Sequence, residues 1–138
     1  MDKAIILDSD VASAFAKIGG LDLLKRLFSR HPVFITPRIY EELTVPIYYG
    51  YTFPLDIFAS FDVIYPSEEE NKMYRTLLIG NISLGKGEME ALSICKNRGC
   101  VFASMDNVAL KRISNIVALA ISEKDSVNIF NLNSHFFV

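Results

Sequence analysis

The chain has 138 residues, 51% of them hydrophobic, and a formal net charge of -2. That size suits one domain, spanning 1–138, with a sizeable buried core. The charge argues against a strongly basic nucleic-acid binder while leaving room for a local basic patch, and no apolar run approaches the length of a membrane span.

The predicted elements alternate between strand and helix. Ala4 to Leu7 is a continuous apolar run, as a central parallel strand requires, and it ends on Asp8-Ser9-Asp10. Val11 to Ile18 is apolar at helical spacing and Gly19-Gly20 ends it. Leu21 to Phe28 reads as a second amphipathic helix, and "PVFI" as a short strand. In "TPRIYEEL", Thr36 is a cap and Pro37 the first helical residue. "VPIYYGYTFP" reads as an irregular aromatic loop, and Phe61 to Tyr65 as a short strand. Ser67 and Glu70 open the next helix with a capping box, and the acids of "SEEEN" read as a solvated helix start. "GEMEALSICKNRG" is a helix closed by Gly99. "CVFASM" is a strand followed by Asp106, and "IVALAI" is a last strand. Such alternation predicts an α/β fold: a three-layer α/β/α sandwich around a parallel sheet of four to five strands.

The remaining signals are sparse. The N-terminus, with one Lys and a very short apolar stretch, does not read as a signal peptide. Cys95 and Cys100 are the only cysteines and His31 and His135 the only histidines. Separated as they are, they make no convincing zinc site, and buried thiols in a reducing cytoplasm are expected.

Ligands of such folds bind beyond the carboxyl ends of the strands, which singles out Asp8 and Asp106. An Asp in that place is often only a helix cap. For Asp106 alone the cap is the better reading. For Asp8 it is not, because Asp10 lies closer to Val11 and is expected to cap the helix instead. Helical positions advance about 100° per residue. In "RIYEEL", Glu42 therefore lies at the margin of the face shared by Ile39 and Leu43, and Glu41 points away. In "GEMEALSICK", Glu88 falls on the midline of the apolar face of Ala91, Leu92 and Cys95, where an acid is costly unless paired or metal-bound. In the first turn it also favours the helix dipole. Glu90 falls nearly opposite and reads as ordinary.

The ordered set of "ILDSD", "PRIYEEL", "LGKGEMEAL" and "VFASMDNVAL" resembles the PIN domain. That family is a compact metal-dependent nuclease fold found in many prokaryotic ribonucleases, including toxins of type II toxin–antitoxin pairs. The resemblance covers residues 4 to 110. It implies that Asp8, Glu42, Glu88 and Asp106 bind Mg²⁺ or Mn²⁺ and serve catalysis, with Ser9, Ser104 and Asn107 around them. It also implies an RNA substrate and an antitoxin partner; a homodimer, no membrane association and a cytoplasmic location are expected from the aromatic segment, the hydropathy and the cysteines. Oxygen ligands suit these hard cations, and clustered carboxylates repel one another without one. The chain departs from the family's usual pattern in placing Asp10 after Ser9, and in having Asn107 where many members have a second acid.

Arg38 and Lys86 are the cations nearest these acids in sequence; solvated surface charge is the favoured reading for each, with holding phosphates the alternative. Tyr48, Tyr49, Tyr51 and Phe53 offer either base stacking or, the favoured reading, packing and dimerisation. Two rival readings stand beside the nuclease. "AIILDSDVA" also resembles the strand and Asp-x-Asp of haloacid-dehalogenase-type phosphatases, in which Asp8 would be the nucleophile and Asp10 the acid/base. A non-catalytic binding module is the other.

Overall fold

The structure is a computed structural model that describes residues 3–80, 82–104 and 128–131. Strand β1 (Ile5–Leu7) lies at the centre of the sheet, and all three of its residues are buried. A strand covered by helices on both faces has no reason to alternate, which is why its sequence is uniformly apolar. Its neighbours are β2 (Val33–Ile35) and β4 (Val101–Ser104). The outer strands are β3 (Asp62–Val63) and β5 (Asn128–Asn131). The order is β3-β2-β1-β4-β5, and every pairing is parallel. Ile5 is level with both Val33 and Val101, and Leu7 with Ala103, so the ends of β1 and β4 lie side by side.

The helices around the sheet are α1 (Ser9–Lys17), α2 (Leu21–Leu27), α3 (Pro37–Tyr48), α4 (Phe53–Ser60), α5 (Glu68–Ile79) and α6 (Lys86–Arg98). The three-layer α/β arrangement is the one expected. Its main core joins Ile6, Leu7, Ile35 and Phe102 of the sheet to Leu24, Ile39, Leu43, Ile57 and Ile94 of the helices. A smaller apolar cluster, Tyr74, Leu77 and Met89, joins α5 to α6.

Local signals held at several ends. Thr36 caps α3 by accepting from Ile39 N, with Pro37 in the first turn. Ser67 and Glu70 form the capping box of α5. Gly99 closes α6 at φ 71°, the left-handed region that favours glycine.

Three expectations fail for physical reasons. "VPIYYGYTFP" is mostly helical rather than an irregular loop. Pro46 lies inside α3, which continues to Tyr48; its fixed φ suits a helix, and only one backbone bond is forfeited. Gly50, at φ 91°, then turns the chain into α4. Asp8, not Asp10, is the N-cap of α1, for its side chain accepts from Ser9 N. The third concerns α6, which is not amphipathic. Met89 to Cys95 are buried without a break, because α5 covers the side turned away from the sheet. Glu90 is therefore buried rather than ordinary. The stretch "IVALAI" lies outside the described residues, as do Asp106 and Asn107. The described strand beside β4 is Asn128–Asn131, where the sequence pattern predicted no element.

Candidate metal centre

Asp8 sits where β1 gives way to α1. Its backbone N–H donates to Ala103 O at 3.0 Å, which ties it to the end of β4. Its Oδ1 accepts from Ser9 N at 2.9 Å, and Ser104 Oγ lies 3.5 Å from Oδ2. Only 7% of the residue is exposed. Burial, followed by the neighbouring charges of Asp10 and Glu88 and a smaller push from Glu42, raises its pKa to about 7. The Ser9 N–H opposes the rise.

The other two acids come from α3 and α6, which clasp each other reciprocally. Glu42 Oε1 of α3 accepts from Gly87 N in the first turn of α6 at 3.2 Å. Glu90 Oε1 of α6 accepts from Arg38 N in the first turn of α3 at 2.9 Å, and Oε2 lies 3.7 Å from Arg38 Nε. Each helix thus satisfies an amide that the other leaves unbonded. Gly87 makes the approach possible: a Cβ there would fall 2.6 Å from Glu42 Oε1 and 3.1 Å from Ile39 Cγ1. Glu88 is half-buried beside this contact, with Oε1 3.3 Å from where a Cβ on Gly85 would stand.

A metal-dependent nuclease, the PIN domain, was the family implied by the motifs. A family model described as DUF3368, a PIN domain, matches residues 4–122. The chain belongs to the PIN-domain family. This decides between the PIN and phosphatase resemblances, and Asp10, exposed in the first turn of α1, contributes charge to Asp8 but no cap. No curated protein matches the sequence. Among solved structures, the PIN fold is shared with VapBC2 from Rickettsia felis, a structure bound to a DNA fragment from the promoter. There the TM-score is 0.67 and the identity 16%, over 93% of this chain and 98% of that one. It is shared equally with VapBC-1 from nontypeable Haemophilus influenzae, at TM-score 0.64 and 14% identity over 93% and 97% of the two chains. FitAcB from Neisseria gonorrhoeae gives TM-score 0.58 and 12% identity, over 92% and 96%.

Within this PIN domain the sequence-predicted residues meet in part. Glu42 and Glu88 each come within electrostatic range of Asp8 at the carboxyl end of the central strand, and Ser9 and Ser104 touch Asp8. Among the described residues, no three acidic, His or Cys side chains close into a ligand cluster. Asp106 and Asn107 lie outside the described residues. The donors present nevertheless fit a hard divalent cation: all are carboxylate or hydroxyl oxygens, and burial together with the acids around Asp8 raises its affinity for the smallest cation, a proton.

Sequence reasoning missed Gly87 and Glu90. Both lie in "GEMEAL", but a helical wheel with one buried stripe assigns Glu90 to water. It also misplaced Glu70, which is 1% exposed and bonded to Asn97 and Arg98 rather than solvated. Tyr48, Tyr49 and Tyr51 are 85%, 78% and 60% exposed, so they do not pack under a loop. Cys95 and Cys100 are buried free thiols. No helix among the described residues is long and apolar enough to cross a membrane.

Proposed function

We propose that residues 1–138 form a single PIN-domain ribonuclease that hydrolyses RNA phosphodiester bonds with Mg²⁺ or Mn²⁺ held by Asp8, Glu42, Glu88 and Asp106. The observation that carries this reading is Asp8. It is a buried acid at the carboxyl end of the central strand, and its proton affinity is raised by burial and by acids from α1, α3 and α6. An isolated protein gains nothing from such repulsion, whereas a site that must attract a divalent cation needs it.

A bound cation lowers the pKa of its water near the phosphate and offsets the charge that develops there. The chain's own residues supply the rest. Asp8 is held rigidly by Ser9 N and faces Ser104. Glu42 is held in position by Gly87 N. Ser9, Ser104 and Asn107 orient the carboxylates and their waters. Neither histidine is needed as a base.

The solved relatives support an antitoxin partner. VapBC2 is bound to a DNA fragment from its promoter, and FitAB, a further solved structure of this fold, to an IR36 DNA fragment. We infer a similar small partner for this chain, in a cytoplasmic setting. The test is cleavage of single-stranded RNA by purified protein with Mn²⁺ and with excess EDTA, beside Asp8→Asn. Loss of cutting in both controls supports the reading; cutting that survives EDTA and the substitution refutes it.

A further inference from the structure

The outer face of α3 carries more than Glu42. A cavity of about 360 Å³ opens beside it, lined by Arg38, Glu41, Glu42, Val45 and Lys86. The size is at the lower end of the range for small-ligand sites. Its two cations begin the two helices that carry the acids: Arg38 in the first turn of α3, Lys86 at the start of α6.

Arg38 is a constrained arginine. Its guanidinium carbon lies 4.3 Å from the centre of the Tyr74 ring. Its Nε faces Glu90 Oε2 at 3.7 Å, and Glu90 is itself only 6% exposed in its side chain. Nε is buried and too far from that oxygen to donate to it. The side chain remains 38% exposed and lines the cavity. A planar fork fixed on an aromatic ring loses little further freedom on gripping a phosphate.

The two cations share the cavity with two acids, so net charge alone does not hold a free anion there. A ligand that also uses neighbouring surface is required. That surface exists along the same helix. Val45, Tyr48 and Tyr49 follow Glu41 and Glu42 at helical spacing, and they are 51%, 85% and 78% exposed. Exposed aromatic rings beside a phosphate grip suit unpaired bases, which every sequence of single strand presents.

We propose that single-stranded RNA lies along the outer face of α3, one phosphate held between Arg38 and Lys86 and its bases stacked on Tyr48 and Tyr49. This rests on the ribonuclease reading and gives it a substrate track. Duplex RNA, whose bases are already stacked, is a poor fit.

The test is fluorescence anisotropy of a labelled single-stranded RNA oligomer with full-length protein in EDTA, across a salt series, with cleavage in Mn²⁺ measured in parallel. On a single strand, removing one cation from a phosphate lowers the slope of log affinity against log salt by about 0.7. Lys86→Gln and Arg38→Gln should each lower it by about that amount, and the double variant by about twice as much. Tyr48→Ser with Tyr49→Ser should leave the slope unchanged and weaken binding by about tenfold or more. Lys86, Tyr48 and Tyr49 are exposed and Arg38 is half-buried, so thermal melts check the folding of each variant. Cleaving wild type with unchanged slopes in the double variant overturns the track and leaves the nuclease standing. A wild type that neither binds nor cuts RNA overturns both. If the tyrosine variant turns a dimer into a monomer at unchanged RNA affinity, that face is a contact between copies and the stacking is wrong.

Discussion

Replacing Glu70 by Gln keeps the shape of a buried side chain and removes its charge. Glu70 accepts from Ser67 N at 2.7 Å, Asn97 Nδ2 at 2.8 Å, and Arg98 Nε and Nη2 at 2.9 and 2.8 Å. Burial opposes the charge, but the Arg98, Ser67 and Asn97 bonds outweigh it and hold the pKa at about 2, against an ordinary 4.5. That difference corresponds to about 3 kcal/mol at 1.36 kcal/mol per pKa unit. Arg98 is 35% exposed, so water screens part of it, and about 2 kcal/mol is the expected cost of Glu70→Gln at pH 7. Because the folded pKa is depressed, this stability is fully present above about pH 4.5 and is lost as pH falls through 2. Urea unfolding of both proteins at pH 7, 5 and 3.5 measures it. The gap should hold from pH 7 to 5 and narrow by pH 3.5. A gap under about 0.5 kcal/mol at pH 7, or one independent of pH, refutes the reasoning.

Other consequences follow from the same contacts. Gly87→Ala sets a methyl against the movable end of Glu42 and close to the buried Ile39, so its stability loss in urea unfolding should fall within the overpacking range of about 1–3 kcal/mol. Cleavage should fall at least tenfold, since Glu42 is displaced. Glu90→Ala strips α3 of the acceptor for Arg38 N and removes the guanidinium's partner; about 2 kcal/mol of stability should be lost in urea unfolding. Asp8 carries the opposite sign from Glu70. Its folded pKa is raised from 3.8 to about 7, so metal-free protein should lose stability as pH rises between those values and level off above 7. Asp8→Asn in EDTA should flatten that decline, and Mn²⁺ should reverse it in wild type only, both read from melting temperature against pH.

The sheet was legible because its centre is a run of apolar residues with no alternation, which only a strand buried on both faces tolerates. Caps were legible wherever the signal was a side chain answering a backbone amide at fixed spacing, as with Thr36, Ser67 with Glu70, and Gly99. The sequence does not settle the cap of α1 because Asp8 and Asp10 offer the same chemistry; the extended backbone of Asp8 and its bond from Ser9 N decide between them. Periodicity served poorly on α6, since it presumes one wet face and α5 leaves none. For that reason the pattern marks Glu88 as anomalous and Glu90 as ordinary, while the structure buries Glu90 and bonds it to Arg38 N. The clasp between α3 and α6 pairs residues 45 and 52 positions apart, a relation that no local pattern carries. Pro46 misled in the other direction, since a proline within a helix costs one bond and the packing of Leu43 and Ile39 retains the rest.

The central claim is that Asp8 is there for a divalent cation that serves RNA hydrolysis. The most direct measurement is a time course of single-stranded RNA cleavage by wild type and Asp8→Asn at equal concentration, in Mn²⁺ and in excess EDTA. Cutting is expected from wild type in Mn²⁺ alone, with the other three lanes blank. Equal cutting by wild type and variant in Mn²⁺, or cutting that persists in EDTA, would contradict it.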